Sequence, residues 1–256
     1  MVSVSASKIR QPLRAYGDRR DDGLVQLSFV LPVPASEKAR EAAQQYVKKL
    51  GFEQAFVASM ESAGDGFTFF VAYGRTSVAV DYAAIEVPEV VVRKLGFDDL
   101  NSRIAEKLGR KVIVYGACTG TDTHAVGIDA IMNMKGFAGD YGLERYPWFE
   151  AHNLGSQVDN AELVRQAKER KADAILISQV VTQRDVHKEN ARQFIQALQD
   201  QGLHGEIIAL LGGPRIDHKL ALELGFDAGF GPGTKPSDVA NYIVAHLFQK
   251  LGIASS

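Results

Sequence analysis

The sequence predicts an α/β protein in which a doubly wound, flavodoxin-like (Rossmann-like) domain follows a small α+β domain. Three observations predict it. From residue 111 onward, five short strand-like runs each lead into a segment of helical periodicity, the pattern of successive βα units. The middle and later runs are apolar throughout, as parallel strands covered on both faces are. Upstream, apolar and polar residues alternate, as in strands with one buried face. The expected organisation is an N-terminal arm over 1–20, an α+β domain with a connecting helix over 21–110, and the parallel-sheet domain over 111–256.

The arm is polar and basic, with Lys8, Arg10, Arg14, Arg19 and Arg20, and is expected to order only against a partner. From Leu24 the alternation Val25, Leu27, Phe29, Leu31 reads as a strand that Pro32 and Pro34 end. Ser36 suits a helix N-cap. Ala39, Ala42, Ala43, Tyr46, Val47 and Leu50 then share one face, and Gly51 closes the helix. Strands over 53–60 and 67–73 follow, joined through Gly64-Asp65-Gly66. One helix covers one face of such a sheet, which leaves the other to be shared with a second subunit. A helix is expected over 87–110.

In the second region, strands are expected over 112–115, 149–153, 174–178, 207–211 and 228–230. Helices are expected from 125 to about 135 and over 160–170, 188–203, 216–224 and 237–251. Asp159 with Glu162 makes a capping-box pattern, and Pro236 sits at the start of the last helix.

Composition narrows the functional classes. The 256 residues are 46% hydrophobic, ample for a core, and the net charge of −2 gives no electrostatic reason to expect nucleic acid or an anionic membrane as partner. Lys48-Lys49 and Lys168-Glu169-Arg170-Lys171 read as solvated helix faces. Cys118 is the single cysteine, excluding an intrachain disulfide and fitting a reducing cytoplasm; it reads as packing beside the first parallel strand. The sequence shows no signal-peptide core and no stretch approaching a membrane span.

In a doubly wound sheet, ligands bind beyond the carboxyl ends of the strands, where the strand order reverses. Four loops there are rich in Gly, Ser and Thr: 116–124, Ser178-Gln179-Val180-Val181-Thr182-Gln183, Gly212-Gly213-Pro214 and Gly231-Pro232-Gly233-Thr234-Lys235. They leave room for a bulky ligand and supply hydroxyl and backbone hydrogen bonds. The first holds neither a Gly-x-x-x-x-Gly-Lys-Ser/Thr nor a Gly-x-Gly-x-x-Gly pattern, which disfavours nucleotide binding. Zinc would need three or four convergent ligands, and beside His124 the expected neighbouring loops offer only His152. A lone His124 reads first as a helix cap. Asp122, Gly127, Ser178 and the Gly212-Gly213 pair on matching loops turn the reading towards a metal ligand, its tautomer held by Asp122, with Gly127 letting a planar group approach.

The run Gly120-Thr121-Asp122-Thr123-His124-Ala125-Val126-Gly127, continuing to Tyr146, closely resembles the small (beta) subunit of the lysine 5,6-aminomutases, cobalamin- and pyridoxal-phosphate-dependent enzymes. Asp-x-His-x-x-Gly after a first strand is also the pattern of histidine-on cobalamin carriers. The resemblance implies a cobalamin-binding domain preceded by a dimerisation domain. It matches His124 to the lower axial cobalt ligand, replacing the cofactor's dimethylbenzimidazole, and Asp122 to that ligand's hydrogen-bond partner. It implies cofactor contacts from Thr121, Asp122, Thr123, His124, Ala125, Val126 and Gly127. Further contacts are implied from Leu176, Ile177, Ser178, Gln179, Val180, Val181, Thr182 and Gln183, and from Leu210, Leu211, Gly212, Gly213 and Pro214. Phe230, Gly231, Pro232, Gly233, Thr234 and Lys235 lie beside the displaced nucleotide tail in the same comparison. Ser178-Gln179-Val180 departs from the Ser-x-Leu of the wider cobalamin pattern, with Val180 keeping an apolar contact.

Lys135 separates this family from plain cobalamin carriers: it matches the lysine that holds pyridoxal 5'-phosphate as a Schiff base, although without that match a lysine before Gly136 reads as a solvated helix end. A helical rise of ~1.5 Å per residue would place it on the order of 15 Å from His124 and imply a moving domain. The resemblance further implies adenosylcobalamin as cofactor, a larger TIM-barrel alpha subunit in an α2β2 heterotetramer, and an amino shift on D-lysine or L-β-lysine. The alternatives are an ornithine 4,5-aminomutase-type subunit and a corrinoid carrier for methyl transfer. Tyr141, Glu144, Arg145, Tyr146 and Trp148 read as a loop that touches a partner or cofactor or packs. His187, His204, His218 and His246 read as surface or helix residues without a role.

Overall fold

The structure is a computed structural model and describes residues 12–254. The chain forms two compact units that divide between Glu86 and Val87, and each is described by itself.

In the first unit, strands β1 (Leu24–Leu31), β2 (Glu53–Ser62) and β3 (Thr68–Arg75) form an antiparallel sheet in the order β1-β3-β2, with helix α1 (Glu37–Lys49) crossing between β1 and β2. The Ser36 hydroxyl accepts from the Ala39 N–H at 3.1 Å, satisfying one of the free donors of the first turn. Gly51, at φ +93°, reverses the chain after α1. The stripe that α1 buries is narrower than the expected face: Ala39, Ala43 and Val47 are buried, while Tyr46 and Leu50 are exposed. Its two alanines let the helix lie close to Phe70 and Ala72. Tyr46 instead leans on Phe29, ring centres 5.3 Å apart.

The opposite sheet face carries Val30, Phe56 and Phe69, all exposed, and Phe56 stacks on Tyr73 at 5.2 Å. Residues 12–20 make hydrogen bonds within their own chain. Leu13 and Val80 exchange backbone hydrogen bonds at 2.7 and 2.9 Å, and the Asp22 carboxylate accepts from the N–H groups of Gly17, Asp18 and Arg19. The rest of the expected arm, 1–11, lies outside the described residues.

The second unit holds a parallel sheet of β4 (Val112–Cys118), β5 (Phe149–Asn153), β6 (Ala174–Ser178), β7 (Ile208–Gly212) and β8 (Ala228–Phe230), in the order β5-β4-β6-β7-β8. Helices α2 (Phe97–Lys107), α3 (Val126–Met132) and α7 (Pro236–Lys250) cover one face. Helices α4 (Asn160–Glu169), α5 (Val186–Asp200) and α6 (His218–Glu223) cover the other. The period-2 geometry of a strand sends Leu176 and Leu210 to the first layer and Ile175, Ile177 and Leu211 to the second, so both faces are apolar.

Two expectations are corrected. Residues 87–110 do not form one helix joined to the first unit: 87–96 carry no regular structure, and α2 begins at Phe97. Pro88 and the run Val90-Val91-Val92 disfavour helix, and Leu100 and Ile104 bury α2 in the core of the second unit. Helix α3 does not reach Lys135. It stops at Met132, because Asn133 turns extended (φ −61°, ψ 143°) and its side-chain oxygen accepts from Asn153 Nδ2 at 2.9 Å. The separation reckoned from a continuous helical rise therefore does not apply. His187, expected on the surface or in a helix, lies in the first turn of α5, where its burial lowers its pKa. Among the described residues, no helix is long and apolar enough to cross a membrane.

Candidate functional site

The carboxyl ends of β4, β6, β7 and β8 share one end of the sheet, and the strand order reverses about β4. The loop after β4 is held there by Asp122, whose side chain is buried. Its Oδ1 accepts the His124 N–H at 3.0 Å and pairs with His124 Nδ1 at 2.9 Å. Its Oδ2 accepts the N–H groups of Val180 and Val181 at 2.6 and 3.1 Å. One carboxylate thus joins the loop after β4 to the loop after β6. Burial alone would raise its pKa, but the backbone donors from His124, Val180 and Val181 and the imidazole hold it below the ordinary carboxylate value.

An ionised Asp122 makes Nδ1 the protonated nitrogen of His124 and leaves the Nε2 lone pair free. The His124 side chain is 56% exposed, so the ring is held on one side and open on the other. Beneath it, Cys118 is fully buried, its Sγ 3.0 Å from the His124 carbonyl oxygen, to which it donates. Burial pushes the thiol up to about 11, which leaves it a packing group.

An apolar groove of about 300 Å³ runs from the start of α3 across the ends of β6, β7 and β8 to the start of α7. Val126 and Gly127 form one wall, with Leu176, Ile177, Ser178 and Val180 beside them. Leu210, Leu211, Gly212, Gly213 and Pro214 continue the lining, and Phe230, Gly231, Pro232 and Thr234 close it. The glycines serve different needs. A Cβ on Gly127 would lie 2.9 Å from Ser178 Oγ, so this glycine is required by the approach of α3 to β6 as well as by any ligand. Gly213 sits at φ +156°, where a Cβ would lie 2.1 Å from the Gln179 carbonyl oxygen. A Cβ on Gly212 would touch nothing closer than 3.8 Å, so its bareness widens the groove without being needed by the fold.

Other expected contacts fall outside the groove. Thr121, Asp122, Gln179 and Val181 border a separate hollow of about 230 Å³ against α5. Gln179 is buried there and donates to Thr119 Oγ1 at 3.0 Å, a structural bond. Thr123, His124, Ala125, Thr182, Gln183, Gly233 and Lys235 line neither space; Lys235 is the N-cap of α7. Lys135 is exposed in the turn after α3. His152 lies within β5 rather than on a loop, stacked on Tyr115 at 4.6 Å. Sequence reasoning missed Ile128, Ala130, Ile131, Phe137 and Val239, which also line the groove. The helical spacing of Ala130 and Ile131 from Val126 and Gly127 was the available signal for two of them; Phe137 had none, since its place depends on a hairpin. A larger cavity, about 520 Å³, lies between residues 91–95 and α7, away from the Asp122–His124 pair.

Residues 112–240 match the family described as the B12 binding domain, and residues 12–89 match the dimerisation domain of d-ornithine 4,5-aminomutase. The chain is 51% identical over 238 residues to the lysine 5,6-aminomutase beta subunit of Fusobacterium nucleatum, covering 93% of this chain and 90% of that one. The chain belongs to the lysine 5,6-aminomutase beta-subunit family. A second member, from Acetoanaerobium sticklandii, is 48% identical over 239 residues, 93% of this chain and 91% of that subunit. The D-ornithine 4,5-aminomutase subunit beta of the same organism is 32% identical over 225 residues, 87% of this chain but 29% of that longer one. Within the aminomutase family, then, the first unit corresponds to a dimerisation domain and the groove lies in a B12-binding domain.

Proposed function

We propose that this chain is the cobalamin-carrying subunit of a lysine 5,6-aminomutase, an isomerase that moves the terminal amino group of D-lysine or L-β-lysine to the adjacent carbon. The observation that carries the reading is the Asp122–His124 pair. A buried carboxylate fixes the imidazole with its second nitrogen outward, two residues before the wall of an apolar groove. His124 would supply a nitrogen donor to cobalt, and the groove would take the cofactor's nucleotide tail.

When bound, adenosylcobalamin supplies homolysis of its cobalt–carbon bond, and pyridoxal phosphate supplies delocalisation for the electron on the migrating nitrogen. His124 Nε2 would hold the metal, with Asp122 keeping Nδ1 protonated. Val126, Val180 and Phe230 keep water from the tail. Lys135 Nζ, exposed, would hold pyridoxal phosphate at rest, and domain movement would bring the two halves of the site together. A larger TIM-barrel alpha subunit holds the phosphate and substrate in an α2β2 assembly. The outer sheet face with Val30, Phe56 and Phe69 pairs with a second copy. A single buried thiol suits the cytoplasm. A methyl-transfer carrier would leave Lys135 without a task.

Two experiments test the reading. His124→Ala should weaken hydroxocobalamin binding and remove nitrogen hyperfine coupling from the cobalt(II) EPR spectrum; coupling that survives assigns the ligand elsewhere. Borohydride reduction of the holo-complex should fix a phosphopyridoxyl group on Lys135, and a label on another lysine rejects that residue.

A further inference from the structure

Five residues after the end of α3 the chain folds into a hairpin that the functional reading does not use. Phe137 and Asp140 exchange backbone hydrogen bonds at 3.1 and 3.0 Å around Ala138 and Gly139, both at positive φ (+51° and +85°). Two consecutive positive φ values form the tightest two-residue turn, and alanine enters it only when its surroundings hold it there. One leg, Phe137, is about half exposed and lines the apolar groove. The other leg, Asp140, accepts a hydrogen bond from Ser237 in the first turn of α7.

Lys135 lies two residues before this hairpin, and its neighbour Gly136 packs against it. Gly136 (φ +66°) packs so tightly that a Cβ would come 1.9 Å from the Asp140 carbonyl oxygen, and one on Gly142 would come 1.9 Å from that of Asn133. The Gly136 N–H donates to the Asn133 carbonyl at 2.8 Å, and the Met134 N–H to Glu144 Oε2 at 3.1 Å. The backbone on both sides of Lys135 is therefore held: Gly136 lies against Asp140 of the hairpin, and Met134 is tied to Glu144 just beyond it.

We infer that the Phe137–Asp140 hairpin is a positioning element through which occupation of the groove sets the place and order of Lys135. An apolar group in the groove covers the Phe137 ring and removes its exposed surface from water. That contact, with the Asp140–Ser237 tie on the other leg, holds the hairpin closed and with it the turn 133–136. The coupling rests on the proposed cobalamin site in the groove, and its importance to the reaction on Lys135 holding the second cofactor.

The test follows tryptic cleavage of the Lys135–Gly136 bond by mass spectrometry in the full-length protein, with and without saturating hydroxocobalamin. Cleavage requires the turn to open, so occupation should slow it by about tenfold while leaving cleavage after the exposed Lys48 unchanged. Phe137→Ala, with hydroxocobalamin binding verified by absorbance, should abolish the protection, and Phe137→Leu should restore most of it. Equal cleavage with and without hydroxocobalamin in the native protein overturns the inference, as does full protection in Phe137→Ala. Should the alanine variant not fold, Phe137→Val takes its place with the same two outcomes. No pyridoxal phosphate enters this measurement, so a failure to trap it on Lys135 would defeat the functional reading and leave the coupling standing.

Discussion

Asp122→Asn changes one atom in a side chain that meets three backbone donors and one imidazole nitrogen. An amide offers one acceptor oxygen where the carboxylate offers two. If that oxygen stays on the Val180 and Val181 N–H groups, the amide nitrogen faces the His124 N–H and Nδ1. The ring then answers by moving its proton to Nε2, which removes the lone pair that a metal needs. If the oxygen turns to His124 instead, the Val180 and Val181 N–H groups face a donor, and two unpaired buried donors cost about 2–4 kcal/mol. The first arrangement is the cheaper one. The variant should therefore remain folded and bind hydroxocobalamin about 10–100-fold more weakly, the range for losing the hydrogen-bond partner of a metal-bound histidine. The assay is an absorbance titration paired with urea denaturation, the second to separate lost affinity from lost stability. Native-like affinity with unchanged nitrogen coupling in cobalt(II) EPR would refute the reasoning. The pH dependence has a definite sign. The folded-state pKa of Asp122 is depressed, so its stabilisation is fully present above the unfolded value of about 3.9 and is lost as pH falls through the lower folded value. Loosening of the loops after β4 and β6 is expected only in acid, and any change in affinity near neutrality has another source.

The adjacent glycines of the third loop should respond oppositely. Gly213→Ala puts a Cβ at 2.1 Å from a carbonyl oxygen in a strained φ and should cost at least about 2 kcal/mol in urea denaturation; Gly212→Ala, with 3.8 Å of room, should leave stability unchanged and weaken only hydroxocobalamin binding. A reversed ranking would mean the groove has been traced through the wrong residue. On the first unit, Val30→Glu with Phe69→Glu puts charge on the exposed sheet face, and sedimentation should show a smaller species than the native protein. Unchanged sedimentation would place the contact between copies on another surface.

What could be read from the sequence followed from short-range physics. Two of the parallel strands, β6 and β8, lie where their apolar runs stop, because a strand buried on both faces has no reason to include a polar residue. Ser36 and Asp159 cap helices as expected, since a cap needs only its own next three residues. The tie from Asp122 to Val180 and Val181 joins residues nearly sixty positions apart, and no local spacing encodes it. The same limit hid Phe137. A phenylalanine between two glycines reads as loop until the partners that clamp Gly136 and Gly142 are known. The helix over 125–135 was overextended for a related reason: Met134 and Lys135 are good helix formers, and what ends α3 is a long-range bond to the Asn133 side chain from Asn153.

The early end of α3 also changes how the two proposed anchors relate. His124 precedes this helix by two residues and Lys135 follows it by three, so seven residues of helix stand between them. That helix is seated hard on β4, where a Cβ on Gly116 would come within 2.9 Å of Met132 Sδ and 3.0 Å of Ile128 Cδ1. Such packing leaves no room for α3 to slide alone, because interiors at this density shift as blocks. The imidazole is tied to one end by Asp122 and the lysine to the other by the hairpin. A swing that carries His124 towards a partner must then carry the base of Lys135 as well. The only freedom left to Lys135 is that of its own side chain and of the hairpin in front of it, so a covalent link at Nζ restrains the whole domain rather than one loop.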